Sequence, residues 1–162
     1  MVTRSMVKDT MEYHWRGQQW KLYLVVLALV AVVTTLINVP NLKNSGASLE
    51  VLLWSNLVYV MVFLPFVLYH LFRQWQLLWR CDHYQKYSVK LCNPVTSMLY
   101  KHAVYYRVIF RTETGENLVR NTSPVFSSAA FAVFLLEDYN NKTVDIYYDE
   151  EKDKVILVGN RR

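Results

Sequence analysis

The chain has 162 residues, of which 53% are hydrophobic, 15% aromatic and 19% charged, and its net charge at pH 7 is +5. This composition excludes an intrinsically disordered chain and a collagen-like repeat. Residues 81–162 hold eleven Lys and Arg against ten Asp and Glu, so the excess positive charge lies before residue 81. Because that charge flanks two apolar stretches, it argues against a nucleic-acid-binding protein.

Two stretches of the first half predict membrane-spanning helices. Residues 22–39 are eighteen residues without a charge, and residues 51–72 are twenty-two residues without Asp, Glu, Lys or Arg. Each is long enough to cross about 30 Å of hydrocarbon as a helix. The first stretch exceeds the apolar core of a signal peptide, roughly 7–15 residues, so we expect it to be retained. The alternative, two buried helices of a soluble protein, requires more surrounding chain than remains.

The connection at residues 40–50 is rich in Asn, Ser, Gly and Pro and predicts an external loop in an antiparallel helical hairpin. It holds one Lys and one Glu, whereas basic residues concentrate on the other side of both helices. Positive charge is retained in the cytoplasm, so the distribution predicts a two-pass protein of the cytoplasmic membrane with residues 1–21 and both termini inside. These basic flanks are Arg4, Lys8, Arg16, Lys21, Arg73, Arg80, Lys86 and Lys90.

Side chains at the ends and in the middle of the helices suggest contacts. Trp15, Trp20, Trp75 and Trp79 fit interfacial anchors, because an indole ring is apolar and carries one polar N–H. Ser55 and Asn56 are candidates for a hydrogen-bonded helix–helix contact within the hairpin or with another subunit. The alternative is a polar lining of a transport pathway.

Residues 73–86 continue the helical spacing of apolar and polar residues and predict an amphipathic juxtamembrane stalk. Three roles fit such a stalk: resting on lipid headgroups, packing under the following domain, or binding a partner helix. In each case it keeps the following residues close to the membrane.

Residues 87–162 change from helical to strand periodicity and predict a small cytoplasmic β-rich domain. In this region Val104, Tyr106, Val108 and Phe110 share one face, which predicts a strand that buries one side and belongs to an antiparallel sheet. The other face holds Tyr105, Arg107, Ile109 and Arg111. Gly115 predicts a hairpin turn, residues 149–153 a second, charged turn, and residues 129–139, preceded by two serines, a short helix. The predicted fold class is therefore a membrane α-helical hairpin followed by a small α+β domain with a mainly antiparallel sheet. Further predicted strands cover residues 87–91, 95–100, 117–120, 143–148 and 154–158, in one small sheet or barrel-like domain.

The segments VYYRVIFRTETGE and KTVDIYYDEEKDKVILV resemble the β-rich module of two-helix bacterial membrane proteins of uncharacterised function. In that pattern a strand ending in T-x-x-G is followed by a V-x-V-x-Y-D-P hairpin, and here Glu150 stands in place of the proline. The resemblance covers roughly residues 103–158 and the preceding helical hairpin. It implies bacterial origin and architecture, and it brings no catalytic residues.

The sequence offers no pattern that supports catalysis, a cofactor or a metal site. It has no GxSxG elbow, HExxH pair or glycine-rich phosphate loop, and it holds four glycines. The spacing of Cys81, His83, Cys92 and His102 matches no usual zinc pattern. We therefore expect a protein that is not an enzyme, with no cofactor and no metal. The enzyme alternative requires a polar pocket that joins some of these four residues.

Four residues of the predicted sheet form a candidate contact surface. Arg107, Arg111 and Arg120 are placed on neighbouring strands as a basic patch, and Tyr105 is an exposed aromatic beside it. The alternative is ordinary cross-strand pairing of these arginines with Glu113, Glu116 or Asp145. Tyr139 and Tyr147 are further candidates for exposed tyrosines.

The favoured hypothesis is a membrane-anchored, non-enzymatic interaction or accessory protein that presents a small cytoplasmic β domain to a partner at the inner membrane face. The alternative is a small bilayer-embedded transport-accessory or immunity protein that acts through its helical hairpin. The predicted partners are the lipid bilayer and another membrane protein or a second copy of the chain, and no nucleic acid.

Overall fold

The computed structural model describes residues 2–45, 49–96, 103–126 and 142–159. The chain divides into a helical unit, Gly17–Arg73, and a β unit, Met1–Arg16 with Gln74–Arg162. The predicted fold class is confirmed, since two long apolar helices precede a small domain of antiparallel sheets. The helices are α1 (Arg4–Lys8), α2 (Met11–Ser45) and α3 (Leu49–Trp79), followed by a 3₁₀ turn at Cys81–His83. The strands are β1 (Tyr84–Lys90), β2 (Cys92–Thr96), β3 (Ala103–Arg111), β4 (Asn117–Asn121), β5 (Val125–Phe126), β6 (Thr143–Asp149) and β7 (Lys154–Leu157).

Helices α2 and α3 are both long and apolar enough to cross a membrane. With 35 and 31 residues they extend to about 52 and 46 Å at about 1.5 Å per residue. Their apolar side chains are exposed, and Leu36 reaches 68%. A core helix of a soluble protein would bury such side chains. In the helical unit Tyr23 stacks on Phe66 and His70, with ring centroids 5.5 and 5.7 Å apart.

The connection between the two helices is shorter than the predicted loop at residues 40–50. Helix α2 runs through Pro40 to Ser45, and α3 begins at Leu49. Asn and Ser form helices weakly, but extending an existing helix costs far less than nucleating a new one. The middle of the predicted loop, residues 46–48, lies outside the described residues.

The strands of the β unit follow one another around a nearly closed path. One sheet has the order β1-β6-β7 and the other the order β2-β3-β4, with β5 also paired to β3. Only Leu91 separates β1 from β2, so the chain passes directly from one sheet to the other. The opposite edges meet where Thr122 bridges Val155 and the Ser123 N–H donates to the Val155 carbonyl at 2.7 Å. This path consists of two separate antiparallel sheets, whereas the sequence predicted one small sheet or barrel-like domain.

The interior of this path is the main hydrophobic core. On β3 the predicted alternation is confirmed, because Val104, Tyr106, Val108 and Phe110 are buried. Met11, the first residue of α2, packs into the same core. A fully buried aliphatic side chain stabilises a fold by roughly 1.5–3 kcal/mol, so this core accounts for the cohesion of the unit. Its other buried members are Val89, Leu91, Ile146, Tyr148, Val155 and Leu157.

A second cluster covers the other face of the β1-β6-β7 sheet. Tyr147 and Ile156 lie on this face and are buried, so the prediction that Tyr147 is exposed was wrong. The N-terminal residues Val2 and Val7 and the end of α3 supply the covering side chains, which the strand pattern alone does not reveal. The remaining members are Leu77, Cys81 and Tyr84. Residues 1–16 are therefore part of the β unit and not a separate segment.

The predicted turns and strand bounds agree with the structure in most places. Gly115 has φ +90°, as the hairpin prediction requires, and Asp153 adopts φ +46° in the β6–β7 turn. The predicted stalk at residues 73–86 ends earlier as a helix, at Trp79, and β1 begins at Tyr84. The predicted helix at residues 129–139, with Tyr139, and the end of the strand predicted at 95–100 lie outside the described residues.

Candidate functional site: a charged clamp and an exposed sheet face

Arg80, directly after α3, forms a two-pronged ion pair with Asp149 at the end of β6. Its Nε lies 2.7 Å from Oδ2 and its Nη2 lies 2.9 Å from Oδ1. Asp149 is 1% exposed and also accepts the backbone N–H of Lys152 at 3.2 Å. Burial raises the pKa of Asp149, but the hydrogen bonds from Arg80 and from the Lys152 N–H, together with the charge of Arg80, outweigh burial and hold this pKa below its usual value. The carboxylate therefore stays ionised inside the fold.

Glu12, in the first turn of α2, forms the corresponding ion pair with Lys154 at the start of β7. The Lys154 Nζ lies 2.7 and 2.8 Å from the two carboxylate oxygens. Glu12 is 6% exposed, and Arg16 approaches it at 3.6 Å. Burial raises the pKa of Glu12, but the charge of Lys154 and its hydrogen bond outweigh burial, so the pKa lies below its usual value.

These two ion pairs meet on one cross-strand pair, because Asp149 and Lys154 are register partners in the β6–β7 hairpin. Asp149 binds Arg80, the residue that follows α3. Lys154 binds Glu12 in the first turn of α2. We call these four residues, Glu12, Arg80, Asp149 and Lys154, the helix-end clamp. Sequence reasoning missed it, since it placed Arg80 among the cytoplasmic flanking charges and residues 149–153 in a solvated turn. Strand alternation places Asp149 on the same face as Tyr147, but the sequence does not indicate that this face is buried.

The solvent side of strands β3 and β4 carries an exposed apolar pair between arginines. Ile109 and Val119 are register partners and are 65% and 49% exposed. Arg107 and Arg111 stand two residues before and two residues after Ile109, and Tyr105 is half-buried further along the same face. We call this surface the outer face. It also includes Asn117 and Asn121, and its seven described side chains carry two positive charges and no carboxylate.

The prediction that Arg120 belongs to the same patch was wrong. Arg120 is the register partner of the buried Val108, so its side chain lies on the opposite side of the sheet from Arg107 and Arg111. There it forms an ion pair with Asp153, which also accepts the Tyr148 hydroxyl at 2.9 Å. Hydrogen bonding from Arg120 holds the pKa of Asp153 below its usual value.

The pairing proposed as the alternative for these arginines does not form. Asp145 is bound by Lys86, whose Nζ lies 2.6 Å from Oδ2. Arg111 instead donates from Nε to the Gly115 carbonyl at 3.0 Å. Within the described part of the chain, Arg107 and Arg111 form no ion pair.

Ser55 and Asn56, the candidates for a helix–helix contact, both donate hydrogen bonds within α3. The Ser55 hydroxyl lies 3.0 Å and the Asn56 Nδ2 2.9 Å from the Leu52 carbonyl. The Asn56 Oδ1 is buried and has no hydrogen-bond partner among the described residues. A contact that uses this acceptor stays a prediction.

The four tryptophans that were predicted as interfacial anchors lie in the first ten residues of α2 and the last five of α3. Trp75 and Trp79 are exposed, and their ring centroids are 3.9 Å apart. Trp15 lies beneath the guanidinium of Arg16 at 4.5 Å, and Trp20 lies 5.6 Å from the Lys21 ammonium. The pairs of Trp15 with Arg16 and of Trp20 with Lys21 combine an aromatic ring with a charged partner, which suits a boundary between lipid and water.

Of the four residues of the enzyme alternative, the structure describes the side chains of Cys81 and His83, and these two lie in different environments. Cys81 is buried in the second cluster, whereas His83 is exposed and lies 3.5 Å from Glu151. The side chain of Cys92 and the residue His102 lie outside the described part. No group of three His, Cys, Asp or Glu among the described residues is placed to hold a metal ion.

Comparison with protein-family models, with curated proteins and with solved structures finds no match to this chain. Function therefore has to be inferred from the two features above, the helix-end clamp and the outer face, together with the two apolar helices.

Proposed function

We propose that this chain is a membrane-anchored, non-enzymatic interaction or accessory protein that presents a small cytoplasmic β domain to a partner protein at the inner membrane face. Helices α2 and α3 cross the cytoplasmic membrane, and both chain termini lie in the cytoplasm. The exposed apolar surfaces of the two helices and the excess of Lys and Arg outside residues 40–50 support this arrangement.

The observation that carries the proposal is the helix-end clamp. Both chain segments that lead into the apolar helices are fastened to one cross-strand pair, Asp149 and Lys154, by ion pairs with buried carboxylates. A flexible tether would suffice to keep an independent domain near a membrane. The clamp instead holds the start of α2 and the residue after α3 on one hairpin of the β unit, which suits a protein that presents a surface close to its membrane anchor.

The proposed topology can be tested with introduced cysteines in intact cells. Glu50 and Glu151 are both exposed and lie on opposite sides of the proposed membrane. We expect a membrane-impermeant maleimide to modify Glu50→Cys and to leave Glu151→Cys unmodified until the cells are opened. Modification of Glu151→Cys in intact cells would overturn the proposed location of the β unit.

The partner is tested by placing a photo-crosslinking amino acid at single exposed positions of the full chain. Ser88, Ile109 and Glu151 sample the β unit, and Leu36 and Met61 sample the helical unit. The proposal predicts covalent adducts with a protein from β-unit positions, identified by mass spectrometry. Adducts from the helical positions alone, or from none of the five, would contradict it.

The second candidate is a bilayer-embedded accessory protein that acts through its helices. It is favoured by the Asn56 Oδ1, a buried acceptor left without a hydrogen bond among the described residues, because such a group gains stability from a donor on another helix. This candidate predicts that Ser55→Ala with Asn56→Leu removes adducts from Leu36 and Met61. The first proposal predicts that the same variant leaves adducts from the β unit unchanged.

A further inference from the structure

The outer face carries an exposed apolar pair, Ile109 and Val119, on a unit whose other described large apolar strand side chains are buried or half-buried. We infer that this face docks on the anionic phospholipid headgroups of the membrane that anchors the chain. The inference rests on the proposed membrane location, and it names the surface that the outer face meets.

The apolar part of the outer face is small and suits a reversible contact. Among the large apolar side chains described on the strands, Ile109 and Val119 are the exposed ones. Two such side chains reach only the boundary between headgroups and acyl chains, and their burial alone holds a domain weakly. Because the helices already keep the β unit at the bilayer, a weak contact is enough to be populated.

The charges of the outer face complement an anionic surface. Arg107 and Arg111 stand about 7 Å from Ile109 along the strand, one on each side, at about 3.4 Å per residue. Long basic side chains can place their alkyl stems beside an inserted apolar residue while the charged end stays at the phosphates. Each basic residue near an anionic leaflet contributes about a fivefold gain in binding.

Charge disfavours two alternatives: lipid contact through the β6–β7 turn, and pairing of the outer face with that of a second copy of the chain. The β6–β7 turn carries Glu150, Glu151 and Asp153 with Lys152, so an anionic surface repels it. A second copy of the chain that paired outer face to outer face would bring the same arginines together, and like charges directly opposite destabilise a contact. An acidic protein surface remains as a competing ligand for the test.

The test places a fluorescent amino acid at position 109 of the full chain, reconstituted in vesicles with a spin-labelled quencher at headgroup level. Vesicles of phosphatidylcholine alone are compared with vesicles that also contain phosphatidylglycerol. We expect strong quenching in the anionic vesicles, weak quenching in the neutral ones, and loss of the difference at high salt. Arg107→Gln with Arg111→Gln should lower the ratio of docked to undocked protein about 25-fold. The control, Lys90→Gln with Lys142→Gln, removes two exposed charges elsewhere on the β unit and should leave quenching unchanged.

Equal quenching in both kinds of vesicle, or none in either, overturns the inference. If position 109 instead crosslinks to a protein in cells and the double arginine variant removes that adduct, the face binds an acidic protein, and the proposed function stands without the lipid contact. If quenching follows the anionic lipid while no β-unit position crosslinks to a protein, the lipid contact stands and the proposed function fails.

Discussion

The two units of this chain place the same kinds of side chain in opposite environments. In β7 the residues Val155, Ile156 and Leu157 are buried, whereas in α2 the residues Val33, Leu36 and Ile37 are exposed. Exposing so many aliphatic side chains to water would be strongly unfavourable, but no such penalty exists in lipid. This difference is what the proposed membrane anchoring predicts, with the helical unit in hydrocarbon and the β unit in water.

The units also differ in how polar groups are used. The β unit encloses charged carboxylates and compensates them with Arg80 and Lys154. Polar side chains of the helical unit, such as Thr35 and Ser55, donate to carbonyls of their own helix. In the β unit polar side chains therefore connect distant segments, and in the helical unit these ones satisfy their own backbone.

The largest effect is expected from a cavity in the β unit. Ile146 is fully buried between the sheets, and Ile146→Ala removes packed atoms that the surroundings cannot replace. We expect a loss of about 4 kcal/mol in the free energy of unfolding of the β unit. Denaturant unfolding of the full chain in detergent, followed by tyrosine circular dichroism, measures it. A loss below about 1 kcal/mol would show that the barrel interior is loosely packed.

The helix-end clamp provides the next effect. Asp149→Asn leaves the Arg80 guanidinium without its buried counter-charge, and we expect a loss of about 3 kcal/mol in the same measurement. The control is Arg80→Met with Asp149→Met, which removes both charges and should be less destabilising than Asp149→Asn. A double variant that is worse than the single one would contradict an electrostatic origin.

The clamp also predicts how stability depends on pH. The pKa values of Glu12 and Asp149 lie below their usual values in the folded chain. Their contribution is therefore complete above the unfolded pKa values, about 4, and is lost as pH falls through the lower folded values. We expect unfolding midpoints that are insensitive to these groups above about pH 5 and fall steeply below about pH 4. Glu12→Gln with Asp149→Asn should flatten the acid limb, and an unchanged slope would contradict this assignment.

A smaller effect is expected at the β3–β4 turn. Gly115 has φ +90°, and a Cβ there would meet the Arg111 side chain at an ordinary 3.6 Å, so the cost of Gly115→Ala is backbone strain and not a clash. We expect a loss of about 1–2 kcal/mol. Gly115→Asn should lose less, because asparagine tolerates a left-handed conformation better. Equal losses for the two variants would show that side-chain size decides.

Local pattern predicted much of this fold because the relevant signals lie within short segments. Two uncharged stretches gave the helices, alternation in residues 104–110 gave the buried face of β3, and Gly115 gave the turn. The register between strands was not accessible in this way. Arg120 lies on the other face of the sheet because it pairs with Val108 and not with Ile109, and the sequence alone does not reveal this register.

The candidate site was predicted in part for the same reason. Tyr105, Arg107 and Arg111 share one strand, so their common face follows from alternation alone. The helix-end clamp joins Glu12 to Lys154 across most of the chain. Charges that far apart pair through tertiary contacts, and neither spacing nor composition indicates which ones meet.

The smallest effect is expected in the helical unit, and it tests directly whether lipid surrounds the exposed apolar side chains of α2. Leu36 is 68% exposed, so Leu36→Ala opens no cavity if lipid surrounds it. We expect a change of only a few tenths of a kcal/mol, the difference in membrane insertion between the two side chains. Thermal unfolding in lipid nanodiscs, with Ile146→Ala as the destabilised reference, measures it. A loss of 2 kcal/mol, estimated for a packed leucine, would mean that another protein surface covers Leu36. That result would move the partner from the β unit to the helices.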